Sequence, residues 1–331
     1  MPLSSSTPHI HLSPGQPPLL RAEFDGDPAD WASRNRDTLR TAVAEHGHLL
    51  VRGLGLSGPD AVAAVFRRCA RTLMPDPEPF APRRTYGEGL YSATKWPPNQ
   101  LMCMHHEVSY ALDFPGLMLF ACLEAPASGG ATGLADAGAV LDALPADLTK
   151  RFEQEGWLLT RSYHDEIGAS VAEAFGTDDR DAVAAYCRTH AIDFAWQSDG
   201  SLRTRQHRAA VLRHPVDGRR VWFNQIAFLS EWTMDPEVRD YLVEEYGPDG
   251  LPFNTRYGNG DPVDEDVVRV LNEVYEAHTV RVGWQAGDLL LVDNIRTAHS
   301  REPFEGPREM LAALADPVRL ADCTPTAGVS A

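Results

Sequence analysis

Residues 287–314, GDLLLVDNIRTAHSREPFEGPREMLAAL, hold two apolar runs, DLLLVDN and REMLAAL, with no helix-period segment between them. Each run is short and rich in residues that suit a pleated, buried surface, so each predicts a strand. Pro303, Gly306 and Pro307 supply turn chemistry between them. The expected product is an antiparallel pair, with His299 just beyond the end of the first strand at the mouth of a barrel and Arg308 at the start of the second.

Working upstream, LMCMHHEVSY (101–110), LMLFACLEA (117–125) and RRVWFNQI (219–226) also read as strands, as does HLLVRGL (48–54), which is closed by Gly53 and Gly55. Helical periodicity covers 30–46, ending before Gly47, and resumes after Ser57, Pro59 and Asp60. Helices are also expected over 136–155, 178–190, 236–246 and 264–278. Residues 75–100 are proline-rich and predict loop. The stretch 160–212 is otherwise irregular and predicts a lid or elaboration. No alternation of strand with helix supports a doubly wound parallel sheet. The pattern predicts a mainly β chain with flanking helices: an antiparallel barrel or jelly roll forming one domain over 21–320, with loose tails at 1–20 and 321–331.

The bulk composition narrows the function. The 331 residues are 43% hydrophobic and 23% charged, as in a globular enzyme. A net charge of −17 argues against a nucleic-acid partner. No apolar run is long enough for a membrane span, and MPLSSSTPHIHLSPGQPP lacks the basic and apolar regions of a signal peptide. The five cysteines are scattered without a CxxC pair, which predicts neither disulfides nor a zinc site and fits a reducing cytoplasm.

The sharpest local motif is His105-His106-Glu107. In a strand, side chains at i and i+2 share a face, so His105 and Glu107 are expected to project together while His106 points away. An imidazole beside a carboxylate is two thirds of the 2-His-1-carboxylate triad that binds Fe(II) and leaves three positions open. Two of these suit a chelating oxoacid and one suits O2. His299 is the candidate third ligand. A second triplet, His164-Asp165-Glu166, lies in irregular sequence without strand context and ranks far lower. The oxoacid 2-oxoglutarate would leave its far carboxylate pointing away from the metal, where an arginine fork matches it. Arg308 is the candidate cation and Thr132 the candidate hydroxyl partner.

At this point the chain resembles the taurine dioxygenase and clavaminate synthase superfamily, and within it the syringomycin-type amino-acid hydroxylases. The resemblance covers roughly 35–315. It rests on HGHLLVRGL, HHEVSY, ASGGATGLADAGAVLDALP, HPVDGRRVWFNQ and GDLLLVDNIRTAHSREPFEGPREM, in that order. It implies a double-stranded β-helix (jelly roll), Fe(II) held by His105, Glu107 and His299, and 2-oxoglutarate gripped by Thr132 and Arg308, with O2 as oxidant. Two departures stand out. The second arginine with which taurine dioxygenase binds sulfonate is Ala312 here, and the usual glycine after the distal histidine is Ser300. Glu107 fills the position that related halogenases leave to a small residue, so oxygen transfer to carbon is implied.

The resemblance points to hydroxylation of an amino acid, free or carrier-bound, in specialised metabolism. Desaturation, cyclisation, a non-catalytic binding protein and a zinc hydrolase are the alternatives. Candidate substrate contacts are Asn99, Ser109, Tyr110, Trp222, Asn224 and Arg301. The segment 201–220 gathers Arg203, Arg205, Arg208, Arg213, Arg219 and Arg220 against one acid, Asp217. Such a cluster suits a solvated face, an anionic substrate or an acidic carrier protein.

Overall fold

Alternation within one strand, Leu289–Asp293, organises the molecule. Leu289 and Leu291 bury with Leu39 and Val43 of the helix Pro28–His46 and with Val62 and Phe66 of the helix Pro59–Cys69. Leu290 and Val292 bury on the opposite side, with Leu134 and Ala298 of a second sheet. This is the two-residue period of a pleated strand covered on both faces. The computed structural model describes residues 9–80, 83–87, 89–164 and 167–324.

The larger sheet runs in the order Ile10–His11, Leu19–Arg21, His48–Arg52, Leu289–Asp293, Asp113–Glu124, Glu309–Arg319, Leu73–Met74, with Leu90–Ser92 also on Glu309–Arg319. Apart from the parallel contact of Leu19–Arg21 with His48–Arg52, its pairings are antiparallel. The smaller sheet runs Thr279–Val282, Thr132–Asp136, Thr297–Arg301, Met102–His105. Two helices cover the outer face of the larger sheet, and the smaller sheet shares the core on its inner face. The chain is therefore mainly β with flanking helices.

Local chemistry sets the helix ends. Asp27 accepts from the Ala29 N–H at 2.6 Å, Pro28 opens the first helix, and Gly47 closes it at φ 82°. The helix expected over 136–155 is two, Ala137–Ala143 and Ala146–Glu155, because Pro145 cannot continue the first.

Four expectations change. Residues 10–11 and 19–21, placed in a loose tail, pair into the larger sheet, and Leu20 is fully buried. At the other end Leu320–Cys323 forms a 3-10 turn with Leu320 and Cys323 buried; residues 325–331 lie outside the described residues. The described residues of 160–212 hold regular structure: Trp157–Tyr163, Asp193–Trp196, Leu202–Arg208 and Phe253–Tyr257 form an antiparallel sheet beside the helix Arg180–Thr189. Its alternation was hidden because the inward residues of Leu202–Arg208 are Leu202, Thr204, Gln206 and Arg208, mostly polar. Finally, Glu309–Arg319 does not return beside His299. The short strand Phe304–Glu305, paired with Ser128–Gly129, carries the chain to the larger sheet, where Glu309–Arg319 pairs with Asp113–Glu124.

Candidate metal centre

Cross-strand register brings the first two residues together. His299 sits inside Thr297–Arg301, not beyond a strand end, because Asn294–Arg296 forms a turn that starts this new strand. Asp293 Oδ1 caps that turn by accepting the N–H groups of Ile295 and Arg296, both at 3.0 Å. His299 lies directly opposite His105 on one side and Leu134 on the other. Directly opposed residues share a face, so the two imidazoles meet with ring centroids 4.3 Å apart.

Glu107 arrives by a different route from the one the strand rule suggests. The strand Met102–His105 stops at the histidine, and Glu107 lies in the following turn, where Val108 has φ 58°. Asn294, fully buried, pins this turn. Its Oδ1 accepts the Glu107 N–H at 2.8 Å, and its Nδ2 donates to the Glu107 and Pro115 carbonyls, both at 2.9 Å. Gln225 donates to the His106 carbonyl at 2.7 Å. His106, expected to point away, is itself fully buried, with Nδ1 against the Asn294 carbonyl at 2.5 Å.

Glu107 Oε2 stands 3.6 Å from Nε2 of both His105 and His299. Donor atoms of the three residues lie within 4.8 Å of one another. Two donors at right angles on bonds of about 2.1 Å would stand about 3 Å apart, so this cluster is nearly closed to metal dimensions. His105 Nδ1 is 2.7 Å from the Cys103 carbonyl, which sets the tautomer that leaves the Nε2 lone pair free. Burial, then the neighbouring His105, push the His299 imidazole down to about 4, so it is neutral, as a ligand must be. Burial alone would raise Glu107. Arg83 and contacts with the two imidazoles outweigh it and hold the carboxyl well below its ordinary range. Phe228 stacks on His105 at 4.4 Å and Phe120 tilts against His299 at 5.3 Å.

The cavity at this centre lies between the two sheets. Met118, Phe120, Met310 and Ala312 line it from the larger sheet, and Thr132, His299 and Arg301 from the smaller one. Arg308 also lines it. Among the described residues no ion pair holds Arg308, its Nε is buried without a hydrogen bond, and burial followed by Arg301 lowers its guanidinium to about 10. Such a cation fits a carboxylate guest. Thr132 Oγ1 accepts from Trp284 Nε1 at 3.1 Å, so its own hydrogen is free to donate. Ser300 faces Gly133 across the strands, and a Cβ at Gly133 would strike Ser300 Oγ, so the serine fits because its neighbour is glycine.

The substrate candidates separate. Arg301 reaches the cavity, but its guanidinium donates to the carbonyls of Trp96, Pro97 and Pro98. Tyr110 borders an adjoining cavity while its hydroxyl serves the Pro77 and Glu78 carbonyls. Ser109 is buried in the Glu107 turn without a partner for its Oγ. Asn99 is exposed. Trp222 is a core residue packed edge-on against Phe152, and Asn224 spends its amide on Ala210 and Ile226. The arginine cluster also disperses. Arg208 is buried on backbone carbonyls, Arg219 pairs with Asp136, and Arg220 pairs with Glu153. His164 contacts the Gly250 carbonyl; Asp165 and Glu166 lie outside the described residues.

Residues that sequence reasoning missed border the centre too. Arg83 donates to Glu107 Oε1 at 2.6 Å and its Nε stands 3.4 Å from Asp76. Burial opposes the charge on Arg83, yet Glu107 and Asp76 hold it above its ordinary value. Burial raises Asp76 to about 6 against the pull of Arg83. Neither residue carries a periodic signal, because both sit in the proline-rich loop. Asn294 lay in a quoted motif, but nothing local marks its three bonds to distant backbone.

Comparison with known proteins agrees with this geometry. Residues 11–314 match the family described as taurine catabolism dioxygenase TauD, TfdA family. The dapdiamide synthesis protein DdaC of Enterobacter agglomerans is 31% identical over 317 residues, 96% of this chain and 94% of that one. A clavaminate synthase-like protein of Arabidopsis thaliana is 27% identical over 287 residues, 83% of each chain. PvcB of Pseudomonas aeruginosa, described as an Fe, alpha-ketoglutarate dependent oxygenase from an isonitrile synthetic pathway, shares the fold with a TM-score of 0.56 at 15% identity, covering 96% of both chains. The chain belongs to the TauD, TfdA family and is a 2-oxoglutarate-dependent dioxygenase working with Fe(II) and O2.

Proposed function

We propose that this dioxygenase hydroxylates an unactivated C–H bond of an amino acid, free or carrier-bound, in specialised metabolite biosynthesis, using iron held by His105, Glu107 and His299. The observation that carries the reading is the approach of Glu107 Oε2 to within 3.6 Å of both Nε2 atoms, in a cavity that Arg308 also lines. We read the two sheets around it as a double-stranded β-helix, or jelly roll, in one domain that also takes in the N-terminal strands from Ile10, with the sheet of Trp157–Tyr163, Asp193–Trp196, Leu202–Arg208 and Phe253–Tyr257 as its elaboration. Five free cysteines support operation in a reducing cytoplasm. Among the described residues no helix is long and apolar enough to cross a membrane.

Iron, 2-oxoglutarate and O2 together supply the oxidising power that turns C–H into C–OH, with succinate and CO2 as co-products. The chain contributes placement. His105 and His299 would offer Nε2 lone pairs, and Glu107 would offer Oε2. Arg308 and Thr132 grip the far carboxylate of 2-oxoglutarate, a charge-assisted pair in a dry site. Phe120, Met118 and Phe228 exclude water. Ala312 faces the cavity where a second arginine would be needed for a sulfonate. On the other side of His105, Phe80, Trp96, Phe228 and Phe253 provide apolar walls beside the Asp76–Arg83 ion pair, which suits the aliphatic and zwitterionic parts of an amino acid. The relationship to a dapdiamide synthesis protein supports a biosynthetic role. A carrier protein would be a finer feature of the same reading; among the described residues only Arg219 and Arg220 of the cluster form ion pairs.

The test is a panel of amino acids, free and carrier-bound, scored for substrate-dependent succinate release and for product mass. A gain of one oxygen atom in the product is expected. Succinate release that no member of the panel stimulates would overturn the substrate class.

A further inference from the structure

Glu107 is gripped unequally. One carboxylate oxygen, Oε2, faces the two imidazoles, 3.6 Å from each. The other, Oε1, is 2.6 Å from Arg83 Nη2, within charge-assisted hydrogen-bond distance. Both side chains are largely buried, so water does not compete well for this bond. Arg83 is steadied in turn by Asp76, 3.4 Å from its Nε.

This asymmetry bears on coordination number. A ferrous ion with three protein donors keeps three positions for a chelating oxoacid and O2. A carboxylate that closed onto the ion with both oxygens would take one of those positions. Nothing in the two imidazoles prevents that closure; among the described residues, the group holding Oε1 away is Arg83.

Resting on the metal-centre reading above, we propose that Arg83 is a positioning residue that confines Glu107 to single-oxygen ligation and so keeps the third coordination position open for 2-oxoglutarate. The loop carrying Arg83 thereby belongs to the metal site, although it comes from neither sheet. Asp76 meets the same guanidinium at Nε, leaving Nη2 to Glu107.

Arg83→Met removes the donor and keeps the bulk; Arg83→Lys keeps a cationic donor. Each protein, with its helical and sheet content checked by circular dichroism, is titrated anaerobically with Fe(II) and then with 2-oxoglutarate. Iron uptake, the visible charge-transfer band of the chelate and the 2-oxoglutarate Kd are read. Arg83→Met should still take up iron but bind 2-oxoglutarate about 10–100-fold more weakly, the usual range for an outer partner of a metal ligand, with the band weakened. Arg83→Lys should recover most of the affinity. A folded Arg83→Met protein with the band and Kd of the parent would overturn the proposal while leaving the metal centre intact. If Arg83→Met does not fold, an Arg83→Lys protein that folds, takes up iron and yet loses the band would overturn it instead. If the parent itself takes up no iron, the metal-centre reading falls and this proposal falls with it.

Discussion

Replacing Asn294 by alanine should loosen the metal ligand without touching the metal. The amide makes three hydrogen bonds, one from the Glu107 N–H at 2.8 Å and two to the carbonyls of Glu107 and Pro115 at 2.9 Å, and the residue is fully buried. Each such bond contributes about 1–1.5 kcal/mol, and its loss strands a buried backbone group that water cannot reach. Three bonds therefore amount to roughly 3–4.5 kcal/mol. The turn also carries a left-handed Val108, a strained conformation that the remaining bonds, among them that from Gln225 to the His106 carbonyl, would have to hold without Asn294. Urea unfolding of the metal-free variant would measure the stability term, with the midpoint falling at unchanged slope. Anaerobic Fe(II) titration would measure the second effect, a loss of about 10–100-fold in affinity. Asn294→Asp should fare no better, because it keeps the acceptor for Glu107 N–H but loses both donors and buries a charge. A variant within about 1 kcal/mol of the parent and with unaltered iron affinity would refute the idea that this side chain sets the position of Glu107.

His105→Ala and His299→Ala should each lose iron and all substrate-dependent succinate release; full succinate production by either would sink the ligand assignment. Arg308→Ala should leave iron bound but raise the KM for 2-oxoglutarate about 10–100-fold, since it removes a charge-assisted pair and not a ligand; an unchanged KM would count against that role. The pH dependence of folding should report His48, which is buried with neither ring nitrogen bonded and is pushed down to about 4, chiefly by burial. A histidine depressed in the folded state takes up its proton on unfolding. Its contribution is therefore intact above pH ~6.5 and is lost as pH falls toward 4, by roughly 3 kcal/mol for this one group. His48→Gln should flatten the acid limb of a stability–pH curve by close to one proton; an unaltered slope would show that the ring is not held neutral.

Much of the framework was legible because it rests on local chemistry. The apolar runs at 48–54, 117–125 and 288–294 became strands, and Gly47 and Pro59 marked helix boundaries, since side-chain alternation and backbone permissiveness are properties of a few consecutive residues. The candidate ligands His105, Glu107 and His299 could be named from residue type, and their convergence in one buried cluster was then found in the fold. The reason given for Glu107 was incomplete. A strand does not carry it to the histidines; a turn pinned from Asn294, 187 positions away in sequence, does.

By itself, then, the sequence pointed to the apolar strands of the core, the candidate metal ligands and the arginine suited to an oxoacid, because these follow from short-range periodicity and from the chemistry of single side chains. Tertiary structure alone decided that His299 faces His105 across a smaller sheet, that Arg308 enters from the larger one, and that Arg83 closes on Glu107 from a proline-rich loop. Register between strands and the path of a loop are settled by packing among residues far apart in the chain, and no local pattern encodes them.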